Sequence, residues 1–340
     1  MSVSISPATR FEANPLHELA VLFSDKLKEV DFHLDKYAYS EVSVLPLVSS
    51  HIIESGGKRV RPLLVLAAAQ LCGYTAGSRD VYMAVCIEFL HTATLLHDDV
   101  VDVSSLRRGK PTAHTIWGNQ ISVLTGDFLF VKLFHLLVED GALDVLKLFV
   151  QTTQRIIEGE VLQIGAKSKS ALSREDYFMI IESKTAVLFS AALELGGMVA
   201  YANNEQRAAL NSFAYNIGMA FQLIDDLLDY ISEQPVLGKS IGNDFFEGQV
   251  TLPWIFLCEK LQSDPETLLR LEEMITASTR SQSDFEWVQE LLLRCNIPFY
   301  IRELAEEYST KARAALSVFS DNRLKNALIQ LTHFIVHRCN

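Results

Sequence analysis

Two short acidic runs are the residues of this chain best suited to chemistry. His97–Asp98–Asp99–Val100–Val101–Asp102 closes one apolar stretch, and Gln222–Leu223–Ile224–Asp225–Asp226–Leu227–Leu228–Asp229 closes another. Each contains Asp-Asp-x-x-Asp. On a helix, residues four apart share a face, so Asp98 pairs with Asp102 and Asp225 with Asp229, while the middle acid (Asp99 or Asp226) lies about a quarter-turn away and reaches a second ligand position. Two carboxylates about 5.5 Å apart repel by about 3 kcal/mol at an effective dielectric of about 20. Neither Asp-Asp-x-x-Asp run contains a basic residue, so a cation must compensate. Hard oxygen ligands without His or Cys favour Mg²⁺ or Mn²⁺ over zinc. A solvated acidic helix end accounts for one such run, but poorly for two that each end an apolar helix.

Basic groups accompany the acids. Gly56–Gly57–Lys58–Arg59–Val60–Arg61–Pro62 sets three cations beside a diglycine and a helix start, where backbone N–H groups and guanidinium forks suit phosphate oxygens. Arg107–Arg108–Gly109–Lys110 follows the first acidic run, and Lys184–Thr185 and Lys239 are further candidates. A diphosphate bridged to carboxylates through metal needs cations on its far side. Acids for metal and bases for phosphate together point to chemistry on a diphosphate. Their apolar surroundings point to hydrocarbon for the rest of the substrate, without naming the reaction.

The elements that must position these residues read as helices. Of 340 residues 49% are apolar, enough for a large core, and only 9 Pro and 16 Gly punctuate the chain, which favours long helices. Helical patterning covers 62–71, 80–103, 119–139, 143–164, 173–199, 205–231 and 252–261, and two or three more helices follow residue 284, broken near Pro298 and Asp321. Ser173, followed by Glu175 and Asp176, reads as a capped start. Many of these helices are apolar nearly all round and so belong at the centre of a bundle. No Asn-Gly or Asp-Gly pair joins alternating apolar segments, so strands are not expected. The fold class predicted is all-α, one domain over 1–340 with 1–14 as a flexible N-terminal segment.

A net charge of -12 argues against nonspecific nucleic-acid binding. Cys72, Cys86, Cys258, Cys295 and Cys339 form no close pair, as expected of free thiols in a reducing compartment. No secretory signal opens the chain, and no uncharged apolar run approaches the roughly 20 residues of a membrane span. A cytoplasmic location is expected.

GGKRVRP, EFLHTATLLHDDVVD, RRGKPTAH, FQLIDDLLD and EGQVTLP stand in the order and spacing of the trans-isoprenyl diphosphate synthases, which the chain resembles from about residue 15 to 340, the long-chain polyprenyl group above all. The resemblance implies an all-α bundle around a deep central cavity, usually a homodimer, that joins isopentenyl diphosphate to an allylic diphosphate such as farnesyl or geranylgeranyl diphosphate. It implies that Asp98, Asp99, Asp102, Asp225, Asp226 and Asp229 hold Mg²⁺, three ions with Mn²⁺ able to substitute. Arg107, Lys184 and Lys239 would contact the allylic diphosphate, and Lys58, Arg61, His91 and Arg108 isopentenyl diphosphate. Thr185, Phe221 and Gln222 would line the reacting ends.

In that family, bulky aromatics one to two turns before the first acidic run stop chain growth. Leu90, Ala93 and Thr94 stand there, which implies a C40–C50 product of the kind used for quinone side chains. Phe128, Phe130 or Phe134 on the next helix are candidates for a lower floor. Gln249 replaces a Lys found in many relatives, and weakened diphosphate binding is expected from it. A terpene cyclase fits less well, because a second full Asp-Asp-x-x-Asp and a second phosphate motif are present. A noncatalytic subunit fits less well because both acidic runs are intact. A short-chain synthase remains the alternative on product length.

Overall fold

The computed structural model describes residues 15–55, 58–167, 172–232 and 241–338; residues 1–14, Gly56, Gly57, Lys239 and Cys339 lie outside them. Seventeen α-helices form among the described residues: α1 Pro15–Leu22, α2 Ser24–Tyr37, α3 Val44–Glu54, α4 Val60–Leu71, α5 Arg79–Val101, α6 Ala113–Trp117, α7 Asn119–Asp140, α8 Leu143–Lys167, α9 Arg174–Ile181, α10 Val187–Val199, α11 Asn204–Ile231, α12 Asn243–Glu247, α13 Leu252–Lys260, α14 Pro265–Thr276, α15 Gln282–Arg294, α16 Ile297–Ala315 and α17 Arg323–His337. The all-α expectation holds. The helix read as continuous from 173 to 199 is interrupted at Glu182–Ala186 by one π-helical turn.

The helices that are apolar on every side take the centre. α4, α5, α10 and α11 pack on one another, and α10 is buried over nearly its whole length. α7 flanks α5, and α16 flanks α11. Helix ends follow local chemistry. Ser173 Oγ accepts the Asp176 N–H at 3.0 Å, as its sequence predicts, and Asn203 with Gln206 forms a capping box at the start of α11. Such caps each contribute about 1 kcal/mol.

One further finding departs from the sequence reading. Leu106–Arg107 and Lys110–Pro111 pair as a minimal antiparallel hairpin, β1 and β2. Its turn is Arg108–Gly109, both at positive φ (52° and 76°), the mirror-image geometry that Asn-Gly usually supplies. α7 is also long and apolar enough to cross a membrane, although it carries Asp127 and Lys132. Its inner face packs on α5 and α6, the setting of a bundle helix.

Candidate active site

The first acidic run lies at the end of α5. The Asp102 N–H still bonds to the Asp98 carbonyl, so the i, i+4 pair keeps its helical register. The chain then leaves through Val103, a β-branched residue at φ 54°, and the hairpin folds Arg107 back over Asp99. Arg107 Nε and Nη2 both approach Asp99 Oδ1 at 2.8 Å, while Asp99 is only 1% exposed. Asp99 Oδ2 is enclosed with no partner. Burial, then the charge of Glu160, pushes the Asp98 carboxyl up to about 7 against the pull of Lys184 and Arg107.

The π-turn stands between the two acidic runs, held by helices that close on it at glycines. A Cβ on Gly159 of α8 would lie 2.7 Å from Ser183 Cβ, and one on Gly218 of α11 would lie 2.7 Å from Ala186 Cα. Close approach at the first brings Glu160 and Gln163 to Lys184, whose Nζ lies 2.9 Å from Glu160 Oε1 and 2.5 Å from Gln163 Oε1. Close approach at the second brings Gln222 to Thr185, whose hydroxyl donates to Gln222 Oε1 at 2.7 Å. Burial opposes charge on Lys184, but Glu160 and Asp98 outweigh it and its pKa is raised. The extra residue of a π-turn is commonly found at functional sites.

The second run continues that network. Gln222 Nε2 donates to Asp226 Oδ1 at 2.6 Å, and the buried Tyr177 hydroxyl donates to Asp226 Oδ2 at 2.7 Å. Burial still carries the Asp226 carboxyl up to about 7, these two hydrogen bonds opposing and the Asp225 and Asp229 charges adding. Asp229 accepts the backbone N–H groups of Asn243 (3.2 Å) and Asp244 (2.9 Å) at the start of α12. Asp225 meets Arg338 at 3.3 Å. Gln249, the departure noted in the sequence, accepts from Gln163 Nε2 at 2.9 Å and donates to Glu247 at 2.7 Å.

The structure brings Lys58, Arg61, His91 and Arg108 into one small cavity of about 50 Å³, with Arg59 and Glu88 on the same wall. Arg59, at φ 47°, is committed to Glu88 (3.1 Å) and Asp31 (2.9 Å). Arg61 Nη1 donates to His91 Nε2 at 2.9 Å. Burial, then Arg61 and Arg108, lowers the His91 pKa strongly, so the imidazole is neutral. Burial also lowers the Arg61 pKa to about 10, and its enclosed Nε has no partner. Arg59 and Arg108 both hold left-handed backbone that is unusual for such residues. The cations outnumber Glu88, and a guanidinium donor is left unused, which suits a phosphate anion.

Of the other candidates, Leu90 and Ala93 have no accessible surface, whereas Thr94 keeps some and donates to the His91 carbonyl. Phe221 packs on Phe189 with ring centroids 5.8 Å apart. Phe130 packs against His97, but Phe134 is 42% exposed on the outer face of α7. Glu88, Glu160, Gln163, Tyr177 and Arg338 were missed in the sequence. Glu160–x–x–Gln163 had the spacing of a shared helix face; the others gave no local signal.

Among the described residues no three His, Cys, Asp or Glu side chains converge on one point. The donor set still fits Mg²⁺. Burial holds two carboxyls near 7, and Asp99 keeps an enclosed carboxylate oxygen without a partner, a deficit that a hard cation would meet. Mg²⁺ takes only one or two protein carboxylates and completes its shell with water and phosphate oxygens.

Known proteins resemble this chain in sequence and fold. The profile of the polyprenyl synthetase family matches residues 42–292. An all-trans-nonaprenyl-diphosphate synthase (geranyl-diphosphate specific) of Rhodobacter capsulatus is 40% identical over 309 residues, covering 91% of this chain and 94% of its own. The octaprenyl diphosphate synthase of Escherichia coli (strain K12) is 40% identical over 299 residues, covering 88% and 91%. The crystal structure of a polyprenyl synthase from Caulobacter crescentus CB15, complexed with calcium and isoprenyl diphosphate, superposes with a TM-score of 0.90 at 40% identity, covering 96% of this chain and 98% of that one.

Proposed function

The chain belongs to the polyprenyl synthetase family and is a prenyltransferase, and from that premise we propose that it makes a long-chain trans-polyprenyl diphosphate of C40–C50 by repeated 1′-4 addition of isopentenyl diphosphate to an allylic diphosphate. The observation that carries the reading is the π-turn: Lys184 and Thr185 stand between two acidic runs, each joined to its own run, beside a separate cationic cavity. That arrangement serves two diphosphates at once.

Asp98, Asp99, Asp102, Asp225, Asp226 and Asp229 would hold Mg²⁺, which when bound supplies positive charge to the departing pyrophosphate. Lys184, Arg107 and Lys239 contact the same diphosphate and stabilise the charge that develops as the allylic C–O bond breaks. The electron pair leaves with pyrophosphate. Lys58, Arg61, His91 and Arg108 anchor isopentenyl diphosphate so that its double bond meets the allylic carbocation. Neutral His91 accepts from Arg61 and so orients that guanidinium. A proton is then lost from the isopentenyl unit to the pyrophosphate oxygen. Apolar walls keep water from the carbocation. A product of this length suits the side chain of a quinone, and the free thiols of Cys72, Cys86, Cys258 and Cys295 suit the cytoplasm.

The active unit is a homodimer in this reading. Leu124, Val131 and Val138 of α7, and Leu143, Val150, Ile157 and Ile164 of α8, recur every seven residues and are all exposed. A heptad stripe on two adjoining helices is the pattern of a helix–helix seam, and a second copy presents the same stripe.

The test is condensation of labelled isopentenyl diphosphate with farnesyl diphosphate and Mg²⁺, the products being dephosphorylated and sized by mass. A metal-dependent ladder ending at C40–C50, abolished in Asp98→Ala, is the expected result. Products stopping at C15 or C20 would leave the chemistry and overturn the length. No linear product from any allylic primer, with activation of a partner synthase, would favour a noncatalytic subunit instead.

A further inference from the structure

Arg338 stands just past the end of α17, 113 residues from Asp225, yet its Nη2 lies 3.3 Å from Asp225 Oδ1. The same nitrogen donates to the Phe221 carbonyl at 3.2 Å, and the guanidinium lies 4.3 Å from the Phe221 ring centroid. The side chain is only 8% exposed, and its enclosed Nε has no hydrogen-bond partner. Burying a guanidinium with a donor unused is costly, and an apolar side chain would anchor the end of α17 on Phe221 better. The charge is therefore the feature that needs a reason. It faces a run of three carboxylates that has no other cation in contact with Asp225 among the described residues.

We propose that Arg338 is a positioning residue, the resident counter-cation of the second acidic run, which holds Asp225 in the metal-free enzyme and makes metal occupancy there depend on the diphosphate. The proposal rests on the second run being a metal site. The guanidinium repels a bare divalent ion approaching Asp225. A complex of one such ion with a diphosphate trianion is net negative and is attracted instead. Metal and substrate are thus taken up together, and metal alone is disfavoured.

Mn²⁺ binding to the full chain, followed by the loss of its free paramagnetic signal, tests this with and without inorganic pyrophosphate. Arg338→Gln should bind Mn²⁺ alone about two- to fivefold more tightly than wild type, the range expected of one partly exposed charge pair. With pyrophosphate the advantage should vanish or reverse. Arg338→Met keeps the packing on Phe221 and should match Arg338→Gln, which covers misfolding of either one. Arg338→Lys keeps the charge and should match wild type. In EDTA, Arg338→Gln should also melt below wild type. An unchanged Mn²⁺ affinity in both neutral variants, or the same change with and without pyrophosphate, overturns the proposal while leaving the metal site intact. If wild type binds no Mn²⁺ even with pyrophosphate and Asp226→Asn alters nothing, the metal site itself fails and the proposal with it.

Discussion

Asp98 offers a quantitative test of the site without turnover. Burial, then Glu160, holds its carboxyl at about 7 rather than 3.8, and no hydrogen-bond donor reaches it among the described residues. The folded-state pKa is above the unfolded one, so the native protein binds the proton more tightly. Metal-free stability therefore falls as pH rises from the ordinary carboxylate value towards the folded one, and the loss is complete above it. A shift of this size corresponds to roughly 4 kcal/mol at full ionisation. Between about pH 5 and pH 8 the part that develops is about 2–3 kcal/mol. For a chain of this length that is about 3–4 °C in Tm. Asp98→Asn removes the titrating group and little else. The assay is thermal unfolding of wild type and Asp98→Asn in EDTA across that pH range. The Tm of the variant relative to wild type should climb by about 3–4 °C from acid to alkaline pH, whatever the constant cost of burying an amide. Mg²⁺ with pyrophosphate should flatten the wild-type slope, because a cation beside the carboxylate lowers its pKa. Parallel curves for the two proteins in EDTA would refute the argument that Asp98 is buried short of positive charge.

Other perturbations separate the remaining assignments. Gln249→Lys should lower the allylic-substrate KM about threefold with kcat little changed, the scale of one partly exposed charge; an unchanged KM rejects a role for that position in diphosphate binding. Tyr177→Phe removes a buried donor from Asp226 and should cost about 1–3 kcal/mol of stability and raise the Mg²⁺ needed for half-maximal rate; a loss of stability with the Mg²⁺ requirement unmoved would reduce Tyr177 to packing. Thr94→Phe places bulk at the one chain-length position that keeps accessible surface, and mass analysis should show a shorter product, an unaltered ladder placing the growing chain elsewhere. Val150→Glu with Ile157→Glu sets charge in the exposed heptad stripe and should give a monomer by sedimentation, which a persisting dimer would contradict.

The legible part of the site was the part written locally. Asp-Asp-x-x-Asp at the end of an apolar helix fixes two carboxylates on one face whatever surrounds it, and α5 and α11 end as that pattern requires. What the sequence concealed was tertiary or cooperative. The π-turn at Glu182–Ala186 leaves no mark in a segment whose hydrophobic period is helical on both sides. The hairpin at Arg108–Gly109 hid because Arg holds a conformation usually given to Asn. α2 and α14 do carry narrow apolar stripes, Val30 and Leu34 in one and Leu271, Met274 and Ile275 in the other, set among many charged residues, and α3 carries Pro46 in its first turn. Tyr177 and Arg338 reach the second acidic run from distant helices, and nothing in their neighbourhoods foretells it.

The two acidic runs share their letters and differ in setting. In the second, Asp226 is held by Tyr177 and Gln222, Asp229 by two backbone N–H groups, and Asp225 by Arg338. Carboxylates held in this way keep their orientation before any ligand arrives, yet burial still leaves the Asp226 carboxyl at about 7, so a cation entering there would be favoured as well. In the first, among the described residues, Asp98 has no donor, and Asp99, though Arg107 meets its Oδ1, keeps an enclosed Oδ2 unpartnered. That destabilisation is relieved only when positive charge comes in, so it adds to the free energy of binding the metal–diphosphate complex. Burial of a carboxyl is thus common to α5 and α11, and α11 adds the fixed orientation. On the π-turn between them, Lys184 feels the charge of Asp98, and Thr185 bonds Gln222, which bonds Asp226.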